Sequence, residues 1–253
     1  MKVSIITVTR NSEKTLQDCF DSVNSQTYPD IEHIVVDGKS TDNTLNLIRN
    51  NKQISNYISE EDKNLYDAMN KGVKLATGDV IGILNSDDMF EDENVISKIV
   101  DSIGDYDAIY SDLCYVNQDD TDKIVRYWKS GEFTDSSFEN GWMAPHPTLF
   151  VKKEMFEKFG MYNIDLSNSA DYEFILRLFY KHKVKVKYLP LTTVKMRVGG
   201  VSNKSIAHRL KASKEDRISW EINGCDCPYF FSIFKPLRKI PQFFSKPEEI
   251  INE

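Results

Sequence analysis

The run Ile81-Gly82-Ile83-Leu84 gives way at once to Asn85-Ser86-Asp87-Asp88, and this junction constrains the fold more than any other segment. A strand written as continuous hydrophobics is buried on both faces, which calls for a sheet with helices on either side. In open sheets of that kind ligands gather beyond the carboxyl ends of the strands, where Asp87 and Asp88 stand. Two adjacent carboxylates repel unless a cation compensates them. The same residues also read as a solvated turn into an acidic helix start, because Glu91, Asp92 and Glu93 follow and helix N-termini favour acids.

The preceding residues supply the sheet. Strand patterns at 3–8, 33–38 and 56–59 alternate with helical stripes, the signature of βαβ units. Leu16, Cys19, Phe20 and Val23 mark the first inner stripe, with Asn11 or Ser12 as its cap. Leu45, Leu47 and Ile48 mark the second, after capping candidates at 40–44. Leu65, Met69, Gly72, Val73 and Ala76 form the third, closed by Thr77-Gly78. Beyond the acids, Val95, Ile96, Ile99, Val100 and Ile103 form another stripe before a strand at 107–111. Right-handed crossovers then bring residues 9–11, Asp37 and residues 85–88 to one sheet edge.

That edge lacks the usual phosphate cradles. Thr9-Arg10-Asn11-Ser12 stands where a dinucleotide-binding GxGxxG turn would be, and no GxxxxGK[ST] loop occurs. A nucleoside diphosphate would therefore be neutralised by a divalent cation on Asp87 and Asp88, because hard cations bind carboxylate and phosphate oxygens together. The net charge of −7 excludes a protein devoted to nucleic acid. The 4 cysteines lack zinc or redox spacing and read as free thiols. No run approaches the ~18–20 apolar residues of a membrane span, and the chain opens directly into a strand without a secretory signal, so a cytoplasmic location is expected.

The C-terminal segment differs in character. Residues 203–246 hold nine Lys or Arg against four acids, and Phe230, Phe231, Phe234, Phe243 and Phe244 lie among Lys235, Arg238 and Lys239. Such a segment either meets anionic headgroups at a membrane surface or packs back on the domain, and Pro228, Pro236 and Pro241 prevent one long amphipathic helix.

Taken together, Val3-Ser4-Ile5-Ile6-Thr7-Val8-Thr9-Arg10-Asn11, Val35-Val36-Asp37-Gly38-Lys39-Ser40-Thr41-Asp42, Gly72-Val73-Lys74-Leu75-Ala76-Thr77-Gly78-Asp79 and Asn85-Ser86-Asp87-Asp88 resemble, in order, the motifs of family 2 glycosyltransferases of bacterial surface-polysaccharide type. The likeness is strong over 1–115 and looser to about 205, through Ala144-Pro145-His146-Pro147-Thr148, Ser169-Ala170-Asp171-Tyr172-Glu173 and Gly199-Gly200-Val201-Ser202. It implies an α/β fold of GT-A type, a mostly parallel twisted sheet flanked by helices with a C-terminal helical tail. The expected division is a GT-A domain at 1–220, whose nucleotide-sugar half is 1–115 and acceptor half 116–220, followed by the tail at 221–253.

The resemblance also implies roles. Asp37 would hydrogen-bond the base, usually uracil; Thr7, Thr9 and Asn11 would line the nucleoside pocket; Asp62 and Lys71 would contact the base and the ribose or phosphate. Asp88 would be the metal ligand for Mn²⁺ or Mg²⁺, Asp87 would face the ribose or donor sugar, and Asn85 departs from the Asp of many relatives. Asp171, at the start of a helix striped by Phe174, Ile175, Leu178 and Phe179, would be the catalytic base. His146 would lie near the acceptor, Arg197 would meet diphosphate oxygens, and Gly199 and Gly200 would form a lid. The expected reaction is inverting transfer of a sugar from a UDP-sugar to a carbohydrate or lipid-linked carbohydrate at the inner membrane face. A nucleotidyltransferase, or a nucleotide-sugar or glycan binder without turnover, are the rival readings.

Overall fold

The computed structural model describes residues 1–199, 206–229, 231–238 and 242; Gly200 of the expected lid and Phe230, Lys239, Phe243, Phe244 and Lys246 of the tail lie outside them. Strand β1 (Val3–Thr9), helix α1 (Leu16–Asn24), β2 (Ile31–Asp37), α2 (Thr44–Asn50), β3 (Asn56–Ser59), α3 (Leu65–Leu75) and β4 (Val80–Ile83) follow the expected alternation. β1 pairs in parallel with β2 and β4, and β2 with β3. Every residue of β1 is buried, because its faces alternate between two cores. Ile6 and Val8 pack on the α3 side with Met69 and Val73. Val3 and Ile5 pack on the other, with Cys19 and Val23 of α1. Gly72 is required where α3 crosses β1, since a Cβ there would strike the Ile6 side chain.

The second half is less regular. β5 (Asp88–Phe90), α4 (Val95–Ile103), β6 (Ala108–Val116), β7 (Ile124–Trp128), α5 (Asp135–Glu139), β8 (Phe150–Lys152), α6 (Lys153–Phe159), α7 (Ala170–Ile175), β9 (Val186–Arg197), α8 (Ile206–Ile222) and α9 (Phe231–Leu237) complete the chain. The sheet runs β3-β2-β1-β4-β8-β6-β9-β5, with β7 on β6. β8 is antiparallel to β4 and β6, and β5 to β9, while β6 and β9 are parallel. The parallel half thus continues into a mixed half.

Several local expectations change. Leu65 is 49% exposed, and the neighbouring Tyr66 takes the inward position. Neither Asn11 nor Ser12 caps α1 through its side chain; the N-cap position is Thr15. The acids at 87–88 are not a solvated turn leading into a helix: Asp88 is wholly buried at the start of β5, paired with Met196. Trp220 and Phe231, on either side of position 221, are both buried against Tyr172. Lys235 closes this corner, lying over the Tyr172 ring at 3.8 Å and pairing with Asp216 at 2.7 Å. Among the described residues no helix is long and apolar enough to cross a membrane.

Candidate functional site

The parallel register aligns Thr9 with Asp37 and Ile6 with Ile83, so the carboxyl ends of β1, β2 and β4 form one edge. The loops that follow are tied together. Asn11, at a left-handed φ of 53°, accepts from Thr41 N at 2.8 Å, its own N–H donates to Ser40 Oγ at 2.8 Å, and Ser12 and Ser86 share a hydroxyl contact of 2.9 Å. A pocket wall is thereby built from three segments distant in sequence.

At one corner of this edge Asp37 is fully buried and fully partnered. It accepts from Ser40 N, from Ser40 Oγ in a short bond, and from Ser59 Oγ at 2.5 Å. Asp62 stands beside it: a Cβ on Gly38 would lie 2.9 Å from Asp62 Oδ2. Lys71 donates to Asp62 at 2.7 Å and pairs with Glu60 at 2.9 Å, and although burial works against its charge, these acids push its ammonium above the usual range.

The other corner is under-satisfied. Asp88 Oδ2 accepts from Asn85 Nδ2 at 3.0 Å, but Asp88 Oδ1 and Asn85 Oδ1 are buried without a partner among the described residues. Burial first, and the adjacent Asp87 second, raise the Asp88 carboxyl well above the ordinary carboxylate range. Thr9 Oγ1, on the same edge, is likewise buried and unpartnered. Orphaned hard oxygens of this kind fit a divalent cation. Among the described residues no group of three or more His, Cys, Asp or Glu could hold a metal alone, so any ion at Asp88 would complete its shell with ligand phosphates and water.

Two expected ligand contacts are redirected. Thr7 is fully buried and its hydroxyl meets His33 Nε2 at 3.0 Å, so it supports the floor beneath the pocket and does not line it. Arg197 is buried, donating to Asp87 O at 3.1 Å, to Gln118 O at 3.2 Å and to the Asp18 carboxylate. Its fork braces the Asp87 loop from within instead of reaching toward diphosphate. Gly199 has a left-handed φ of 95°, a conformation that favours glycine.

A second cluster gathers around Asp171, in the first turn of α7. Tyr66 Oη donates to Asp171 Oδ1 at 2.9 Å, and His146 Nε2 meets Tyr162 Oη at 2.9 Å. The Tyr66 and Tyr162 rings lie 6.1 Å apart. Burial lowers the His146 pKa, favouring the neutral ring, against the opposing pull of Asp171. Glu215 of α8 fixes the approach to α7, accepting from Asn168 N at 2.7 Å and Ser169 N at 3.1 Å. Sequence reasoning singled out Asp171 and His146 and passed over Tyr66, Tyr162 and Glu215, which the structure sets beside them. Tyr66 had a local signal, lying beside an expected inner stripe with a polar tip that a buried tyrosine must satisfy; Tyr162 and Glu215 had none.

Comparisons with known proteins bear on the family and the fold. The model of the family described as Glycosyl transferase family 2 matches residues 4–184. A PGL/p-HBAD biosynthesis glycosyltransferase of Mycobacterium bovis is 31% identical over 205 residues, 79% of this chain and 78% of that one. S. aureus TarS 1-349 superposes with a TM-score of 0.68 at 18% identity, covering 87% of this chain, which spans 65% of that one. The mannosyltransferase PcManGT of Pyrobaculum calidifontis, in complex with GDP-Man and Mn²⁺, superposes with a TM-score of 0.65 at 17% identity, covering 94% of this chain and 69% of that one.

Proposed function

The chain belongs to glycosyl transferase family 2, and from that premise we propose a metal-dependent enzyme that moves one sugar from a UDP-sugar to a hydroxyl of a carbohydrate or lipid-linked carbohydrate, with inversion, in surface-polysaccharide assembly. The observation that carries the reading is the set of orphaned oxygens, Thr9 Oγ1, Asn85 Oδ1 and Asp88 Oδ1, on a strand-end edge opposite a fully partnered Asp37. A nucleotide diphosphate and its cation satisfy such an edge together. PcManGT, which has this fold and is in complex with GDP-Man and Mn²⁺, supports a metal beside the donor.

In this scheme Asp62 meets the base, Asp37 holds the Ser40 and Ser59 segments that frame it, Asn11 and Thr9 face the nucleoside, and Lys71 holds Asp62 in place. Asp87 faces the ribose or donor sugar, and Asp88 ligates Mn²⁺ or Mg²⁺. When bound, the cation supplies Lewis-acid stabilisation of the departing diphosphate oxygens. Asp171 takes the proton of the acceptor hydroxyl as that oxygen attacks the anomeric carbon from the face opposite the leaving group. His146 and Tyr162 border the acceptor side. Gly199, at its left-handed φ, stands where a lid over the donor would begin. Phe231 and Lys235 of the tail pack back on the domain, and Tyr229 and Leu237, exposed at 85% and 50%, are the tail residues that meet the cytoplasmic membrane face in this scheme.

A thermal-shift panel of UDP-, GDP- and dTDP-sugars with and without Mn²⁺ tests the donor class. A shift for the UDP series that vanishes on chelation is expected. Equal shifts with and without metal would remove the metal from the scheme, and a shift confined to another nucleotide would replace the base.

A further inference from the structure

Helix α3 serves both sides of the site. Lys71 near its C-terminal end holds Asp62 at the donor corner. Tyr66 in its first turn points toward the other side and donates its hydroxyl to Asp171 Oδ1 at 2.9 Å. Both residues are therefore set by the placement of one rigid element.

The helix is fastened on that second side at three points. The Asn64 side chain accepts from Tyr66 N and Asp67 N at 3.1 Å each and donates through Nδ2 to Ile164 O at 2.8 Å. Asn70 makes a matched pair with the Tyr162 backbone, donating to its carbonyl at 2.8 Å and accepting from its N–H at 2.9 Å. Tyr66 is 5% exposed, so its hydroxyl is confined to the direction of Asp171. Burial, and then the Asp171 charge, hold the Tyr66 phenol protonated well above its ordinary range.

We propose that Tyr66 is a positioning residue for Asp171: its hydroxyl engages Oδ1 and so presents Oδ2 to the acceptor hydroxyl, tying the orientation of the base to the helix that holds the donor corner. This rests on the reading of Asp171 as the base. In the step served, the acceptor proton passes to Asp171 Oδ2 and the acceptor oxygen bonds to the anomeric carbon. The bond from that carbon to the diphosphate oxygen breaks, and its electron pair leaves with the nucleoside diphosphate. Tyr66 keeps its proton throughout.

The test is UDP release by the full chain with Mn²⁺ and water as acceptor, from UDP-glucose, UDP-galactose and UDP-N-acetylglucosamine, for wild type, Tyr66→Phe, Asp171→Asn and the double variant. Tyr66→Phe removes one oxygen and keeps the ring packing. We expect kcat to fall about tenfold, the size of a hydrogen bond to a charged group, with the donor KM within about twofold and the acidic limb of the kcat profile moved to higher pH. In the Asp171→Asn background the same substitution is expected to add nothing. If Tyr66→Phe does not fold, fluorotyrosine at position 66 keeps ring and hydroxyl while strengthening donation, and the limb is expected to move the other way. Asp171→Asn at the wild-type rate would overturn the base assignment and this proposal with it. A slow Asp171→Asn beside a Tyr66→Phe, or fluorotyrosine protein, of wild-type rate and pH profile would overturn the proposal alone.

Discussion

Asp37 and Asp88 are both fully buried carboxylates at ends of one sheet edge, and they are built in opposite ways. Asp37 is surrounded by donors from Ser40 and Ser59 that belong to the protein. Asp88 has the single amide of Asn85 and an oxygen facing nothing. Burying a carboxylate costs several kcal/mol unless its lone pairs are satisfied. The Asp37 corner meets that cost during folding and is rigid before any ligand arrives. The Asp88 corner leaves an acceptor without a protein donor, the place the proposed function gives to a cation. In that reading a preorganised hydrogen-bonded corner and a metal corner sit side by side, distinguished by which carboxylate already has its partners.

The largest expected effect breaks the metal corner alone. Asp88→Ala should lower Mn²⁺-dependent UDP release by about 10³-fold, the scale of losing one electrostatic stabiliser of a transition state. It should also abolish the Mn²⁺-induced thermal shift while leaving the metal-free protein folded. Near-normal turnover would mean that Asp88 is a strained structural acid and that the two corners do not differ in function.

Asp37→Ala should do the reverse to stability. It removes the acceptor of the half-buried Ser40 N–H and hydroxyl and of the exposed Ser59 hydroxyl, and we expect a loss of about 2 kcal/mol in urea unfolding. A loss below about 1 kcal/mol would show that water replaces the carboxylate and that the corner is not preorganised.

The floor between the corners carries a pH signature. Burial depresses His33 from 6.5 to about 4, and the neutral ring meets Thr7 from beneath. In the unfolded chain it takes a proton near 6.5, so its contribution is complete above that pH and drains away as pH falls toward 4. By linkage this amounts to about 2 kcal/mol at pH 5. Asp88, raised by burial and by Asp87, works with the opposite sign in metal-free protein. The comparison is therefore between wild type and His33→Asn at equal metal concentration, and equal acid sensitivity would remove His33 from the account.

The first corner was legible in the sequence because parallel βαβ units place strand ends by local pattern alone: Asp37, Thr9 and residues 85–88 needed only register. The family motifs then located Asp171. What escaped depends on contacts across the chain. Tyr66 reaches Asp171 over 105 positions and Arg197 bonds Asp87 over 110, separations that no periodicity encodes. Thr7 was misassigned for a different reason. Strand alternation alone leaves open which face a polar residue takes, and a buried histidine partner decided it. The burial of Trp220 and Phe231 was equally hidden, since the aromatic neighbours of Trp220 are Phe138, Tyr172 and Tyr180, far from it in sequence.

The smallest expected effect sharpens the contrast at Asn85, which supplies to Asp88 the one hydrogen bond it has from a side chain in this loop. Replacing the amide with a carboxylate removes that donor and adds a like charge, so metal-free Asn85→Asp should lose stability. Bound cation reverses the balance, because the new oxygen is a hard ligand and the repulsion becomes attraction toward a shared ion. The half-saturating Mn²⁺ concentration for UDP release should fall about fivefold, roughly 1 kcal/mol. The opposite movements of metal-free stability and metal requirement are what separate a ligand position from a merely structural one. If both worsen, Asn85 is there to hold Asp88 in place by its amide, and the corner is built around that hydrogen bond and not around an open coordination site.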